Sequence, residues 1–214
     1  MIQIGFDLER IKKEYYNILD TPFLTLEEND PAGKARVQVE FSNATNKQFI
    51  QVLGENHHDF LKYITNPKCA DGIILSSDIL DRTKASLHII ELKSAITTSI
   101  WSKVQQQFRG AILRGIAFAS SLGIAQIQHI SLHTCYVEDH LLQAAVQAQT
   151  TQQHIKGIAA RKPLTGVNIP EAQQWNMPTI SIFRTQTLML THTRHKLIIN
   201  EQHVNSGTIT ITAI

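Results

Sequence analysis

Long apolar runs, a cysteine framework and a strong charge of either sign are all missing from this sequence of 214 residues. Only two cysteines occur, Cys69 and Cys135. That is no scaffold of disulfides, and two ordinary thiols in an intracellular chain are a simpler reading than a single bridge. Residues 1–19 carry acids and bases early and hold no long apolar core, so they do not read as a signal peptide. The most apolar later stretch, residues 110–125, is interrupted by Arg114 and falls short of a membrane span. Charged residues make up 18% of the chain, below the usual quarter or so, and the net charge is only +2. Neither value singles out a nucleic-acid binder, although a local basic cluster can still hold a phosphate backbone. No glycine-rich loop has Walker spacing, and no zinc-finger cysteine pairs or RNA-recognition signature occur, so nothing supports nucleotide binding or those modules.

What is present is the patterning of a mixed α/β protein read as a single domain over 1–214. Residues 7–19 place Leu8, Ile11, Tyr15 and Ile18–Leu19 near a helical period, and residues 46–64 do the same with Phe49, Leu53, Phe60 and Ile64. Both segments are therefore expected to be helices, each closed by a proline, Pro22 and Pro67. Val37, Val39 and Phe41 alternate as in a strand. Residues 69–77 and 87–95 read as neighbouring strands joined by a polar turn. Residues 100–121 predict a helix whose Gly110, Ala111, Gly115, Ala117 and Ala119 allow close packing on a sheet. An extended stretch follows within 124–137, then a helix over 138–160 starting near Glu138-Asp139, then strands within 180–192 and 208–214. One central sheet is the expected outcome.

The chemistry concentrates in the first strand pair. On residues 87–93 side chains alternate, so Leu87, Ile89, Glu91 and Lys93 share a face. Glu91 and Lys93 are then same-face neighbours, roughly 6.5–7 Å apart along the strand. Asp71 opens the preceding strand, beside Gly72. If the strands lie side by side, the two carboxylates converge on one cation. Magnesium favours such oxygen donors completed by water. Gly72 is expected to let a phosphate approach the backbone closely.

The arrangement Asp71-Gly72 followed by Glu91-Leu92-Lys93 and then the helix 100–121 resembles the PD-(D/E)xK, or restriction-endonuclease-like, nuclease superfamily. The resemblance covers residues 46–137, the expected catalytic core. The proline usual before the first acid is replaced by Cys69-Ala70. The resemblance implies a mixed sheet flanked by helices and Mg²⁺-dependent hydrolysis of nucleic acid, with Mn²⁺ as a substitute. Asp71 and Glu91 correspond to the metal-binding acids and Lys93 to the lysine. Glu55 is the candidate for an additional metal-proximal acid. Gln106 and Gln107 are candidates for a polar residue on the following helix, Gln107 in a catalytic supporting role. Arg109 is a candidate bidentate phosphate ligand. Double-stranded DNA is the favoured substrate, and an endonuclease the favoured activity. Residues 160–214 fall outside the core and are read as a recognition or dimerisation elaboration, with Arg194 and Lys196 as nucleic-acid contacts on a basic surface turn or edge. A homodimer fits two-fold DNA sites. The alternative is an inactive member of the same fold that only binds nucleic acid or assembles. Other polar groups have plainer readings. His57 and His58 diverge by about 100° on a helix, which does not suit one metal. His129 and His133 lie on a strand, facing a layer interface or solvent. Cys135 lacks a base and an orienting acid, so it reads as an inert thiol.

Overall fold

The computed structural model describes residue 8 and residues 11–28, 35–53, 68–141, 170–181, 189–199 and 205–213. In chain order the elements are β1 (Tyr16–Leu19), β2 (Phe23–Glu27), β3 (Ala35–Ser42), β4 (Lys47–Val52), β5 (Gly72–Asp78) and β6 (Lys84–Ile96). Helix α1 (Thr98–Ser121), β7 (Gln126–Asp139), a short α2 (Pro170–Asn176), β8 (Thr179–Ser181), β9 (Met189–Lys196), β10 (Ile198–Ile199) and β11 (Asn205–Thr212) follow. The expected mixed α/β architecture is present, and it has two sheets. The larger is seven-stranded, ordered β1-β4-β5-β6-β7-β9-β8. Its β6, β7 and β9 run parallel, while the outer pairs are antiparallel. The smaller sheet, β10-β11-β3-β2, contains a parallel pair between β11 and β3.

Alternation in β6 explains the layers. Ala85, Leu87 and Ile89 join the core under α1, with Trp101, Val104, Phe108, Ala111 and Phe118. Ile90 and Leu92 face the smaller sheet and meet Val37, Val39, Phe41, Ile209 and Ile211. Leu87, Ile89, Ile90 and Leu92 are all fully buried, each contributing about 1.5–3 kcal/mol. Helix α1 sits tightly on this strand, because a Cβ on Gly115 would come within 2.6 Å of Leu87 Cδ1. The Thr97 side chain caps the helix start by accepting from the Ile100 N–H. The helix ends in a Schellman motif. Gly123 adopts a φ of 81°, its N–H donates to Ser120 O, and the Ile124 N–H donates to Ala119 O. Among the described residues no helix is long and apolar enough to cross a membrane.

Two expected helices are not formed where the structure describes them. Within 7–19, Lys13–Tyr15 is a 3-10 turn and Tyr16–Leu19 is an edge strand paired with β4. Within 46–64, residues 47–52 are β4, held on both sides by β1 and β5. Asn43 and Asn46, at φ 57° and 62°, make a left-handed turn that delivers the chain into a strand. Phe49, Ile50 and Val52 then bury themselves on opposite faces, and the aromatic and β-branched side chains follow the sheet. Residues 54–64, including Glu55, lie outside the described residues. Glu138 and Asp139, expected to start a helix, end β7; helical geometry begins at His140. Residues 142–160 lie outside the described set.

Polar groups line both faces of the sheet. Between the sheets, His88 bridges Ser76 Oγ at 3.1 Å and Ser131 Oγ at 2.9 Å, and His133 Nδ1 lies 3.2 Å from His195 Nε2. On the α1 side, His192 hydrogen-bonds Thr134 Oγ1 at 3.0 Å among Trp101, Phe108 and Trp175. The segment of Arg194 and Lys196, expected as a basic surface turn or edge, is strand β9 of the central sheet, and His192 on it is buried.

Burial, aided by His129 and Lys47, pushes His88 down to about 4. Burial, with Arg194 and His195 behind it, pushes His192 down to about 3. An unfolded histidine titrates near 6.5, so below that pH the unfolded chain takes up protons that the folded one refuses. Stability is therefore complete above about pH 6.5 and declines as the pH falls toward the folded values. At pH 5 each of these histidines is expected to cost about 2 kcal/mol. Urea unfolding at pH 7.5 and pH 5.0 measures this loss, and His88→Gln is expected to flatten it. Equal midpoints at the two pH values would contradict the neutral, buried histidines.

Candidate active site

The ladder between β5 and β6 runs as far as Gly72 opposite Ile90. One step beyond, the Asp71 side chain takes over the role of the strand: its Oδ2 accepts the Leu92 N–H at 2.7 Å. Leu92 is the residue between Glu91 and Lys93, so this bond fixes Asp71 beside both. Lys93 is ion-paired with Glu91 Oε1. Asp71, just before β5, is thus bonded to the peptide between Glu91 and Lys93 in the later part of β6.

Burial differs sharply within the trio. Glu91 is 0% exposed, Asp71 is half-buried, and the Lys93 side chain keeps 15% exposure. Burial works to lower the Lys93 pKa, but the charge and hydrogen bond of Glu91, then the charges of Asp71 and Glu28, outweigh it and hold it above its ordinary value. Lys93 is therefore an ammonium at neutral pH. Cys135 pairs with Leu92 across β6 and β7. Burial, followed by the Asp71 and Glu91 charges, pushes its thiol up to about 12, which excludes a thiolate nucleophile.

Supporting residues separate into those that reach the trio and those that do not. Gln107 Nε2 donates to Cys69 O at 3.3 Å, holding the segment that leads into Asp71. Gln106 Oε1 accepts from Lys68 Nζ at 2.8 Å at the exposed margin. Arg109 follows Gln107 by two helix positions, about 200° round the axis, so its Cβ leaves α1 on the other side. Gly72 does not open the backbone to a phosphate. A Cβ there would lie 2.5 Å from Leu26 Cδ1, so the glycine admits the smaller sheet.

Arg194 and Lys196 stand on β9 in register with the motif strand, through β7. Glu91 pairs with Thr134 and Thr134 with Arg194; Lys93 pairs with Tyr136 and Tyr136 with Lys196. Paired residues share a face, so Lys93, Tyr136 and Lys196 form one row on the α1 side, with two strand spacings, about 10 Å, between the lysine backbones. The Arg194 Nη1 donates to Asn176 Oδ1 at 2.6 Å, and its guanidinium lies 5.4 Å from the centroid of the Trp175 ring. Trp175 is itself fixed by donating to Asp139 Oδ2 at 2.8 Å. Tyr136, Trp175, Asn176 and Glu28 escaped the sequence reading. Tyr136 joins the motif only through strand register, 43 positions from Lys93, and Trp175 and Asn176 only through their hydrogen bonds with Asp139 and Arg194.

Asp71 and Glu91 offer hard carboxylate oxygens, the donors that magnesium or manganese takes, and the Lys93 ammonium is a cation already held by the set. Among the described residues no group of three or more His, Cys, Asp and Glu side chains is placed to hold a metal. Two carboxylates, completed by water and substrate oxygens, still suit magnesium. The chain matches no family model, and no curated protein or solved structure matches it either.

The Leu92–Asp71 bond separates structure from charge. Asp71→Ala leaves a partly buried N–H without its acceptor and is expected to cost about 1–3 kcal/mol. Asp71→Asn keeps a carbonyl acceptor and should stay within about 1 kcal/mol of the parent chain, while losing the carboxylate. Denaturant midpoints of the two variants test this. Equal losses would mean that the hydrogen bond does not anchor the site.

Proposed function

We propose that this protein is a restriction-endonuclease-like, Mg²⁺-dependent nuclease that hydrolyses phosphodiester bonds, with double-stranded DNA as substrate and endonucleolytic cleavage as the activity. The observation that carries the reading is the joining of Asp71 to the peptide between Glu91 and Lys93, which gathers two carboxylates and an ammonium at one end of the sheet. Asp71 and Glu91 would hold the divalent ion, with Mn²⁺ as a substitute. Such an ion, when bound, activates water and offsets charge on phosphate oxygens.

The remaining roles belong to the chain. Lys93, held protonated, suits stabilisation of the charge that develops on the phosphate, and it is ill-suited to removing a proton from water. Gln107 positions the approach to Asp71 through Cys69 O. Arg194 and Lys196 carry the positive charge of the row toward β9, and Arg194 is oriented by Asn176 and Trp175. These two residues are proposed as backbone phosphate contacts, with Gln106 at the margin. A homodimer remains part of the proposal, because two centres related by a two-fold axis match two DNA strands.

A second reading is favoured by one observation: Glu91 is fully buried and already neutralised by Lys93. On that reading the fold binds nucleic acid without cutting it. Supercoiled and linear DNA incubated with Mg²⁺, Mn²⁺ or EDTA distinguish the two. Divalent-dependent cleavage is expected, reduced about 100-fold or more in Asp71→Asn and Lys93→Ala. Undiminished cleavage by Lys93→Ala would remove the assignment of the trio, and DNA binding with no cleavage would establish the second reading.

A further inference from the structure

We propose that Lys93 is a displaceable counter-cation: without a divalent ion its ammonium occupies Glu91, and an ion enters the site only as that ammonium leaves. This deepens the reading of Asp71 and Glu91 as cation-binding and rests on it.

The argument begins with burial. Glu91 is 0% exposed, and an ionised carboxylate in such a place needs a compensating charge. Lys93 supplies it from two residues along the same strand face. The two partners are not equally confined. Glu91 follows Ile89 on the strand face that α1 covers and is fully buried, whereas Lys93 keeps 15% of its side chain in solvent. Its flexible stem can carry the ammonium outward; the carboxylate cannot follow. Asp71 stays where it is, tied through Oδ2 to the Leu92 N–H.

The displaced ammonium has an anionic neighbour. Glu28, which accepts from Ser94 Oγ at 2.8 Å and from the Ala35 N–H at 3.3 Å, is held close enough to act on the Lys93 charge. Occupation of the carboxylates would thus turn Lys93 from an internal partner of Glu91 into a cation presented to an incoming phosphate. At rest Lys93 neutralises Glu91 alone and the trio carries a net −1; a divalent ion would bring it to +1, with the ammonium facing outward.

Direct Mn²⁺ titration of the full chain without nucleic acid, reading the free-ion signal by electron paramagnetic resonance, tests this. Lys93→Gln removes the competing ammonium and is expected to bind Mn²⁺ about tenfold more tightly than the parent chain, which is ~1.4 kcal/mol. Lys93→Arg, whose guanidinium holds a carboxylate with two hydrogen bonds, is expected to bind more weakly than the parent. The double variant Glu91→Gln, Lys93→Gln should lose the gain. Unchanged or weaker binding by Lys93→Gln overturns the displacement. Folding of Lys93→Gln only in the presence of Mn²⁺ supports it. If that variant folds under neither condition, the arginine variant decides, and parent-like affinity there overturns it. DNA cleavage by the parent together with unaltered affinity in Lys93→Gln would keep the nuclease reading and remove the displacement. Tighter binding by Lys93→Gln in a protein that never cuts nucleic acid would do the reverse.

Discussion

Strand β6 is covered on both faces, and that constraint organises the molecule. A strand buried on one side can expose its alternate residues to water. β6 cannot, so α1 must close one face and the smaller sheet the other. The close seating of Gly115 on Leu87 and of Gly72 under Leu26 serves this double coverage. So does the parallel joining of β11 to β3, which brings the C-terminal strand into the cover. The second sheet is therefore as much a part of the site as the strands that carry it, because it fixes the strand on which Glu91 and Lys93 stand.

Charge enters this buried strand under restraint. Between Ile90 and Leu92 a glutamate points into the α1 side with no exposure, and the next same-face residue is the lysine that answers it. Asp71 is brought in by a main-chain hydrogen bond from the Leu92 N–H. The buried histidines follow the opposite rule. Burial keeps His88, His133 and His192 neutral. Polar groups in one core are thus handled in two ways, by pairing at the site and by neutrality away from it.

The parts of this that were legible in the sequence are those governed by local alternation or long periodicity. Val37, Val39 and Phe41, the two strands around Asp71 and Glu91, and helix α1 all follow from pattern, as does the same-face relation of Glu91 and Lys93. The misread parts depend on partners distant in sequence. Phe49 and Leu53 are spaced as on a helix face, yet β1 and β5 offer residues 47–52 ladder bonds on both sides, and pairing overrides the period. Gly72 looked like an opening because it adjoins an acid; the reason it must be small is Leu26, some 46 positions earlier. Arg194 and Lys196 looked like a surface turn because four polar residues follow one another. Their alternation on β9 became visible only once β7 set their register.

A buried ion pair is a poor way to stabilise a core. Removing two charges from water costs several kcal/mol per ion, and apolar side chains of similar size often do as well or better. The positions next to Glu91 illustrate the alternative, since Ile89, Ile90 and Leu92 fill their places without any polar group. Stability alone therefore gives no reason for a glutamate there. A lysine is a costly partner too, because its flexible stem must be ordered to hold the pair. What the pair does offer is a carboxylate kept dry and oriented beside a flexible ammonium. That combination has a use where a cation must be bound tightly enough to act and a positive charge must then face a phosphate. The energetic disadvantage of Glu91 and Lys93 as packing is thus an argument for reading them as chemistry.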